Sequence, residues 1–406
     1  MVDSVNARRP LMNEARTANQ QLNIEEFSKR RTALESMPLV LFVELTQNCN
    51  LECPSCRSGE KFHPEWNMVE SVFDKLADET FDTALIVDLR GYGESLILKD
   101  FPRAADRVLE SGARLRLVSN GQINRNDVWD KMMAADSMVA LSCDAASPEL
   151  FAVLRAGGTV EKFKKTARTL VRYRDLHGAP QDVLSIYTVV SGPNLDELGN
   201  IVELAGDVGI GRVTFAPVQM PLDHPWNLQF HLPRVRQALD HAIEVANVCG
   251  VRLKLASSMD PSMNLDGYVK QMCMHPWAYA YISHEGRVGF CDHLIGQPTF
   301  TFGSLWEQTF REIWNSKGWQ DLRRQHTAGR IEDEFSPCRW CYTQRYVDFE
   351  NEVHPSYEVS VVSTAHLDRL WQLNVDSERA QESFLGESQV TTLASHKLLP
   401  LSVRGA

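Results

Sequence analysis

The feature that most constrains this chain is the run Cys49-Asn50-Leu51-Glu52-Cys53-Pro54-Ser55-Cys56. Three cysteines lie within eight residues, spaced Cys-x3-Cys-x2-Cys, directly after the apolar, strand-like run Leu39 to Leu45. Thiolates this close in sequence reach one metal centre from a single tight loop. Three ligands are one short of a closed tetrahedral zinc site. They are enough for a 4Fe–4S cluster whose fourth iron is left open for another molecule. The rest of the chain then has to be a scaffold that brings a second molecule to that vacancy.

From Leu39 onward the pattern alternates strand and helix. The candidate strands are Leu39–Thr46, Ala84–Leu89, Arg114–Ser119, Met138–Cys143, Leu184–Val190 and Arg212–Pro217. Between them lie helical patterns at Val69–Asp78, Pro102–Ser111, Arg125–Ala135, Val160–Leu176 and Leu195–Val208. Helices of this length pack against parallel strands. No dinucleotide GxGxxG follows the first strand, so the expected fold is an α/β partial (β/α)6 barrel of the TIM type rather than a doubly wound sheet. A helix near Leu232–Cys249 and a short strand-like run at Val251–Leu255 follow.

Alternation stops near Ser257. Met259–Tyr268 reads as a linker, and Ala278–Ser283 with Val288–Phe290 flank Glu285-Gly286 as a hairpin. Helical patterns at Leu305–Trp314 and Gly318–Gln325 complete a small C-terminal α+β domain. The expected divisions are a polar, helix-leaning lead-in over 1–38 (with an amphipathic helix at Ile24–Ser36), the barrel over 39–256, the small domain over 257–350, and a polar tail over 351–406.

The nine cysteines are too clustered and too odd in number for a simple disulfide framework. With a net charge of −11, a nucleic-acid partner has little electrostatic support. No signal peptide or bilayer-length apolar run is present, so the expectation is a cytoplasmic protein without a membrane partner. Cys143 reads as core, and Cys249, at a helix end, as buried and inert.

Further motifs follow the strands in order. Gly91-Tyr92-Gly93-Glu94-Ser95 follows the second strand, and Ser119-Asn120-Gly121 ends the third. Ser142-Cys143-Asp144 ends the fourth, where Ser142 and Asp144 share a face by alternation. Arg155 lies in Leu154–Gly158, and Ala216-Pro217-Val218 ends the sixth strand. In this order, behind the cysteine loop, they resemble the radical S-adenosylmethionine (radical SAM) superfamily.

The resemblance implies that Cys49, Cys53 and Cys56 hold a SAM-binding 4Fe–4S cluster. It makes Gly93, Glu94, Ser119, Asn120, Ser142, Asp144, Arg155 and Ala216 the S-adenosylmethionine contacts. Glu94 would hold the ammonium, Arg155 the carboxylate, Ser142 and Asp144 the ribose, and the backbone near Ala216 the adenine. Two positions depart from the family pattern: Ser55 replaces an aromatic residue and Ser95 replaces proline. The implied chemistry is reductive cleavage of S-adenosylmethionine, giving a 5′-deoxyadenosyl radical that abstracts hydrogen from an unactivated C–H bond.

Cys273, Cys291, Cys338 and Cys341, with a hairpin between the first two, fit a zinc ribbon by count alone. Behind a radical SAM barrel they resemble the Twitch form of the SPASM domain, which implies one auxiliary 4Fe–4S cluster. An auxiliary cluster suits net two-electron oxidation. The expectation is an oxidoreductase acting on a C–OH of a sugar or aminocyclitol, a small-molecule substrate, with a flavodoxin or ferredoxin as electron donor. Peptide maturation, sugar epimerisation or decarboxylation, and a zinc-binding scaffold are the alternatives. Asp88 and Arg90, with Glu44, are the candidate catalytic substrate contacts, because they can point into the barrel. Tyr187 and Gln219 are weaker candidates, and His275, His284 and His293 lie near the auxiliary motif.

Overall fold

Continuous apolar runs make strands buried on both faces, as parallel sheets require. Val40–Val43 (β1) is such a run, with every residue buried. The structure is a computed structural model that describes residues 13–56, 62–218, 223–255, 273–291, 300–335 and 338. In it β1 pairs in parallel with β2 (Ile86–Asp88), aligning Phe42 with Asp88. Parallel pairing continues through β3 (Arg114–Ser119), β4 (Met138–Ser142), β5 (Leu184–Val190), β6 (Arg212–Pro217) and β7 (Arg252–Leu255).

Helices α2 (Glu70–Thr80), α3 (Phe101–Ser111), α4 (Asn126–Ala134), α5 (Pro148–Leu154), α6 (Val160–His177), α7 (Leu198–Val208) and α8 (Leu232–Cys249) alternate with these strands. Each packed helix buries a stripe at three-to-four-residue spacing, as with Val72, Phe73, Leu76 and Ala77 of α2. The stripes join Leu41, Val87, Leu117 and Ile186 of the strands in one apolar layer. A smaller cluster on the opposite face contains Val40, Phe42, Ile86 and Met138. The expected strands and their partner helices are therefore present, and two elements extend them. The short α5 follows β4, and the run at Val251–Leu255 forms a seventh parallel strand on β6.

The C-terminal part does not stand apart from the barrel sheet. The expected hairpin forms as β8 (Tyr279–Ile282) and β9 (Arg287–Gly289), with Gly286 at φ 77 in its turn. After it come β10 (Thr301–Ser304), α10 (Phe310–Trp314) and α11 (Lys317–Ala328). β8 pairs in parallel with β1, aligning Phe42 with Tyr281. The result is one ten-stranded sheet in the order β10-β9-β8-β1-β2-β3-β4-β5-β6-β7.

The lead-in helix is α1 (Glu14–Ser28), capped by the Asn13 side chain, and not the expected Ile24–Ser36. Its buried face is polar, with Arg16, Asn19, Asn23 and Glu26 facing inward, so a search for apolar periodicity misplaces it. The linker Met259–Tyr268, Gln219, His293, Cys341 and the tail 351–406 lie outside the described residues. Among the described residues no helix is long and apolar enough to cross a membrane.

Candidate active site

Helices of a parallel barrel return the chain to the N-terminal ends of the strands, so the loops leaving the strands collect at the opposite end. The cysteine loop leaves β1 there. It is tied to two neighbours by backbone bonds. Gly93 N donates to Thr46 O (3.2 Å) and Glu94 N to Asn48 O (2.9 Å), which draws the loop after β2 against it. Glu52 N donates to Ala156 O (2.9 Å), which draws in the segment carrying Arg155. At Gly93 a Cβ would lie 2.4 Å from Asn48 O and 2.5 Å from Thr46 O, so only glycine permits this approach.

Glu94 is buried and satisfied by three donors. Asn120 N (2.7 Å) and Ser119 Oγ (3.1 Å) reach Oε2, and Leu96 N (3.3 Å) reaches Oε1. Burial nevertheless pushes its carboxyl up to about 7. Desolvation penalises the charged form more than these bonds relieve it. Asn120 also bridges to the cysteine loop, its Nδ2 lying 2.9 Å from Asn50 Oδ1 and 3.7 Å from Cys49 Sγ. Ser119 and Asn120 thus position Glu94 and the cysteine loop together.

Asp144 and Arg155 come together as an ion pair, Oδ2 to Nε 2.7 Å. The other Asp144 oxygen accepts from Val189 N (2.8 Å), fixing the pair to β5. Burial opposes the charge on Arg155, and Asp144, Cys53, Cys143 and Cys56 outweigh it, so its pKa stands above the ordinary value. The Arg155 Nε is buried and, among the described residues, lacks an aligned hydrogen bond despite the ionic contact. A buried guanidinium in that state suits an additional anionic partner such as a carboxylate.

The thiols fit a cationic cluster as well. Cys49 is raised chiefly by burial, with Glu94 and Cys56 adding to the shift. Burial pushes Cys53 up to about 11, against the pull of Arg155. A positively charged cluster reverses this and holds such thiols as thiolates. Among the described residues no trio of His, Cys, Asp or Glu converges on a single ion. A 4Fe–4S cluster takes each cysteine on a different iron, so it does not require convergence.

The remaining expected residues fall as follows. Ser142 ends β4, in register with Tyr187, and Ala216 is the penultimate residue of β6, in register with Val189. Cys143 is core as expected: fully buried, donating to Ala145 O and raised to about 12 by burial. Cys249 departs from expectation and is exposed. It closes α8, where the chain returns to the far end of the barrel, away from these loops. Cys273 precedes the hairpin and Cys291 follows it. His275 Nδ1 lies 3.5 Å from Cys273 Sγ.

Asp88 and Arg90 do meet, Oδ2 to Nε 3.0 Å, and a third residue joins them. Arg116 Nε lies 2.5 Å from the same oxygen. Both guanidinium groups lie over the Phe42 ring, at 4.7 and 5.5 Å from its centroid. Among the described residues, no hydrogen-bond partner reaches the buried Asp88 Oδ1. Sequence reasoning missed Arg116, which the β2–β3 register sets opposite Asp88; alternation along β3 gives its face but not that register. It also missed Tyr281, whose hydroxyl donates to Glu44 Oε2 (2.9 Å).

Comparison with known proteins agrees with this arrangement. The sequence matches the radical SAM superfamily over residues 43–205 and the SPASM iron–sulfur cluster-binding domain over 273–342. It is 24% identical to an AdoMet-dependent heme synthase of Methanosarcina barkeri, over 72% of this chain and 86% of that protein. It is 26% identical to a PqqA peptide cyclase of Granulibacter bethesdensis, over 68% of this chain and 74% of that protein. Among solved structures, the fold is similar to native anSMEcpe with bound AdoMet (TM-score 0.58, 16% identity, 84% of this chain and all of that one, 100%). It is also similar to Streptococcus suis SuiB bound to its precursor peptide SuiA (TM-score 0.55, 16% identity, 77% and 72%). A radical SAM domain carries a 4Fe–4S cluster that binds S-adenosylmethionine, and a SPASM domain carries auxiliary iron–sulfur ligation; the Cys49, Cys53 and Cys56 set fits the first, and Cys341 of the second set lies outside the described residues. The chain belongs to the radical SAM superfamily and carries a C-terminal SPASM-type iron–sulfur domain.

Proposed function

We propose that the chain is a radical SAM enzyme that modifies a peptide. The observation that carries this reading is its similarity to PqqA peptide cyclases over 68% of its length. The relatives named above are described by peptide or cofactor substrates, which moves the preference from a sugar or aminocyclitol to a peptide. A cytoplasmic site of action and reduction by a flavodoxin or ferredoxin remain part of the proposal.

When bound, the cluster and S-adenosylmethionine supply one-electron chemistry able to take a hydrogen atom from an unactivated C–H bond. The chain's own residues bind and orient. Cys49, Cys53 and Cys56 hold the first cluster, and Cys273, Cys291, Cys338 and Cys341 hold the second. Glu94, fixed by Ser119 and Asn120, presents its carboxylate to the methionyl amine. Arg155, anchored by Asp144, presents its cation to the carboxylate. Gly93 lets the loop backbone approach the cysteine loop, and Ser142 and Ala216 line the mouth beside the ribose and adenine. Asp88, Arg90 and Arg116 form an ionic cluster on the inner wall, and the partly exposed Arg90 is its member that meets the peptide.

The test is anaerobic co-expression with each short reading frame encoded beside the chain, followed by mass spectrometry of the peptides. One peptide should lose a pair of hydrogens or gain a cross-link, with 5′-deoxyadenosine formed alongside. Unchanged peptides, together with a ketone formed on a sugar or aminocyclitol supplied to the purified enzyme, would overturn the peptide reading.

A further inference from the structure

Glu44 is a buried carboxylate that the proposed chemistry does not use. It stands one residue beyond β1 and is fully buried. Its Oε1 accepts from Tyr92 N (3.0 Å), inside the loop that carries Glu94. Its Oε2 meets Tyr281 OH (2.9 Å) and His284 Nδ1 (3.3 Å), both on the β8–β9 hairpin, and Gln47 Nε2 (3.2 Å). The fit on the loop side is tight: a Cβ at Gly91 would lie 2.3 Å from Glu44 Cγ. The carboxylate therefore joins two parts of the protein: Oε1 serves the loop that carries Glu94, and Oε2 serves the auxiliary-domain hairpin together with Gln47 of the cysteine loop.

The hairpin is the segment between two auxiliary ligands. Cys273 lies two residues before α9 (His275–Ala278), which runs directly into β8, and Cys291 lies two residues after β9. A shift of the hairpin reaches both cysteines, and the polar surroundings of a cluster set its potential.

We infer that Glu44 couples the two cofactor sites: occupation of the S-adenosylmethionine loop changes the potential of the auxiliary cluster through Glu44, Tyr281 and His284. The coupling is reciprocal, since a ligand that shifts one equilibrium is shifted by it in turn. Glu44 is a positioning residue here, since it acts through the Tyr92 amide and the hairpin side chains.

S-adenosylhomocysteine is the suitable probe. It keeps the amine, carboxylate, ribose and adenine and has no sulfonium to cleave. The auxiliary cluster of the anaerobic holoenzyme is titrated potentiometrically with EPR detection, with and without saturating S-adenosylhomocysteine. A fivefold difference in probe affinity between the two auxiliary redox states is expected, which corresponds to a shift of about 41 mV for a one-electron couple. Tyr281→Phe and His284→Gln leave the loop-side bond in place. Each should retain full iron content and probe binding yet lose most of the shift. Glu44→Gln should lose the shift and also weaken probe binding. An unmoved wild-type potential overturns the inference without any variant, and so does a shift preserved in Tyr281→Phe and His284→Gln. Because no peptide is involved, failure here leaves the peptide reading untouched, and the reverse also holds.

Discussion

At the scale of single residues, Glu94 gives the clearest consequence. It is an acid whose folded value, about 7, stands above its ordinary 4.5 because burial disfavours the charge. The sign follows from linkage. The folded apo-protein binds the extra proton between these values, so Glu94 makes it most stable below that window. Its contribution declines as pH rises through it, by about 3 kcal/mol at roughly 1.36 kcal/mol per unit. An ammonium ligand prefers the ionised carboxylate, so S-adenosylmethionine binding should strengthen as pH rises through about 7 and release protons there. Calorimetric titration of S-adenosylmethionine from pH 6 to 8 in two buffers of different ionisation enthalpy checks both effects (roughly the window where a group near 7 titrates). In Glu94→Gln the affinity should be lower and flat across that range; a wild-type affinity that is equally flat contradicts the assignment. The order of the motifs along the strands singled these residues out as candidates. It did not show that Asp144 pairs with Arg155, or that Asp88 is shared with Arg116, because pairing distances are set by barrel tilt and register between strands.

At the scale of elements, the strands and most helices were legible because burial imposes a period on apolar residues. α1 was not, because its inward face is polar. Arg16 donates to Ala84 O (2.6 Å), Phe81 O (3.0 Å) and Ser111 O (3.0 Å), carbonyls where α2 and α3 end. Asn19 exchanges bonds with Met37 (Nδ2 to O 3.1 Å; N to Oδ1 2.7 Å), and Asn23 reaches Trp277 O (2.6 Å). Glu26 accepts from Glu35 N (2.7 Å) and Ser36 N (3.1 Å). This helix contributes by satisfying buried backbone groups, which are expensive to leave unpaired. Arg16→Met keeps much of the side chain's volume and strands those carbonyls. The expected loss is roughly 3 kcal/mol, from more than one carbonyl left bare. It is read as a fall in the urea midpoint, with the cysteine loop and its iron content unchanged. An unaltered midpoint would mean that water replaces the guanidinium at no loss.

At the scale of the whole molecule, a boundary near residue 256 separates sequence patterns more cleanly than it separates structure. The alternation stops there, so two domains are what the pattern gives. The sheet nevertheless crosses the boundary through the four-residue ladder between β1 and β8. The C-terminal side also clasps the loop between α1 and β1. Trp277 Nε1 donates to Arg31 O (2.7 Å), Arg323 NH1 to Thr32 O (2.9 Å), and Trp314 Nε1 to Ser36 O (2.9 Å). Asn315 both accepts from Leu34 N (2.8 Å) and donates to Leu34 O (2.9 Å). Arg323 itself is buried between Trp314 and Trp319, its guanidinium 4.4 and 5.1 Å from their rings. None of these contacts is local in sequence, which is why no pattern along the chain announces them. Among the described residues, a chain ended after residue 256 would bare the β1 edge, the inner apolar cluster around Val40 and Phe42, and six hydrogen-bonding groups of the 31–36 loop, Glu35 O (bonded by Arg311) being the sixth. An exposed, flat, apolar edge strand is a template for aggregation. The truncated barrel should therefore elute as aggregate on size exclusion and melt without a cooperative transition. Covering that edge with the C-terminal segment supplied as a separate chain should recover soluble material. A monomeric, cooperatively melting fragment would show instead that the barrel is autonomous and that β8 merely leans against it.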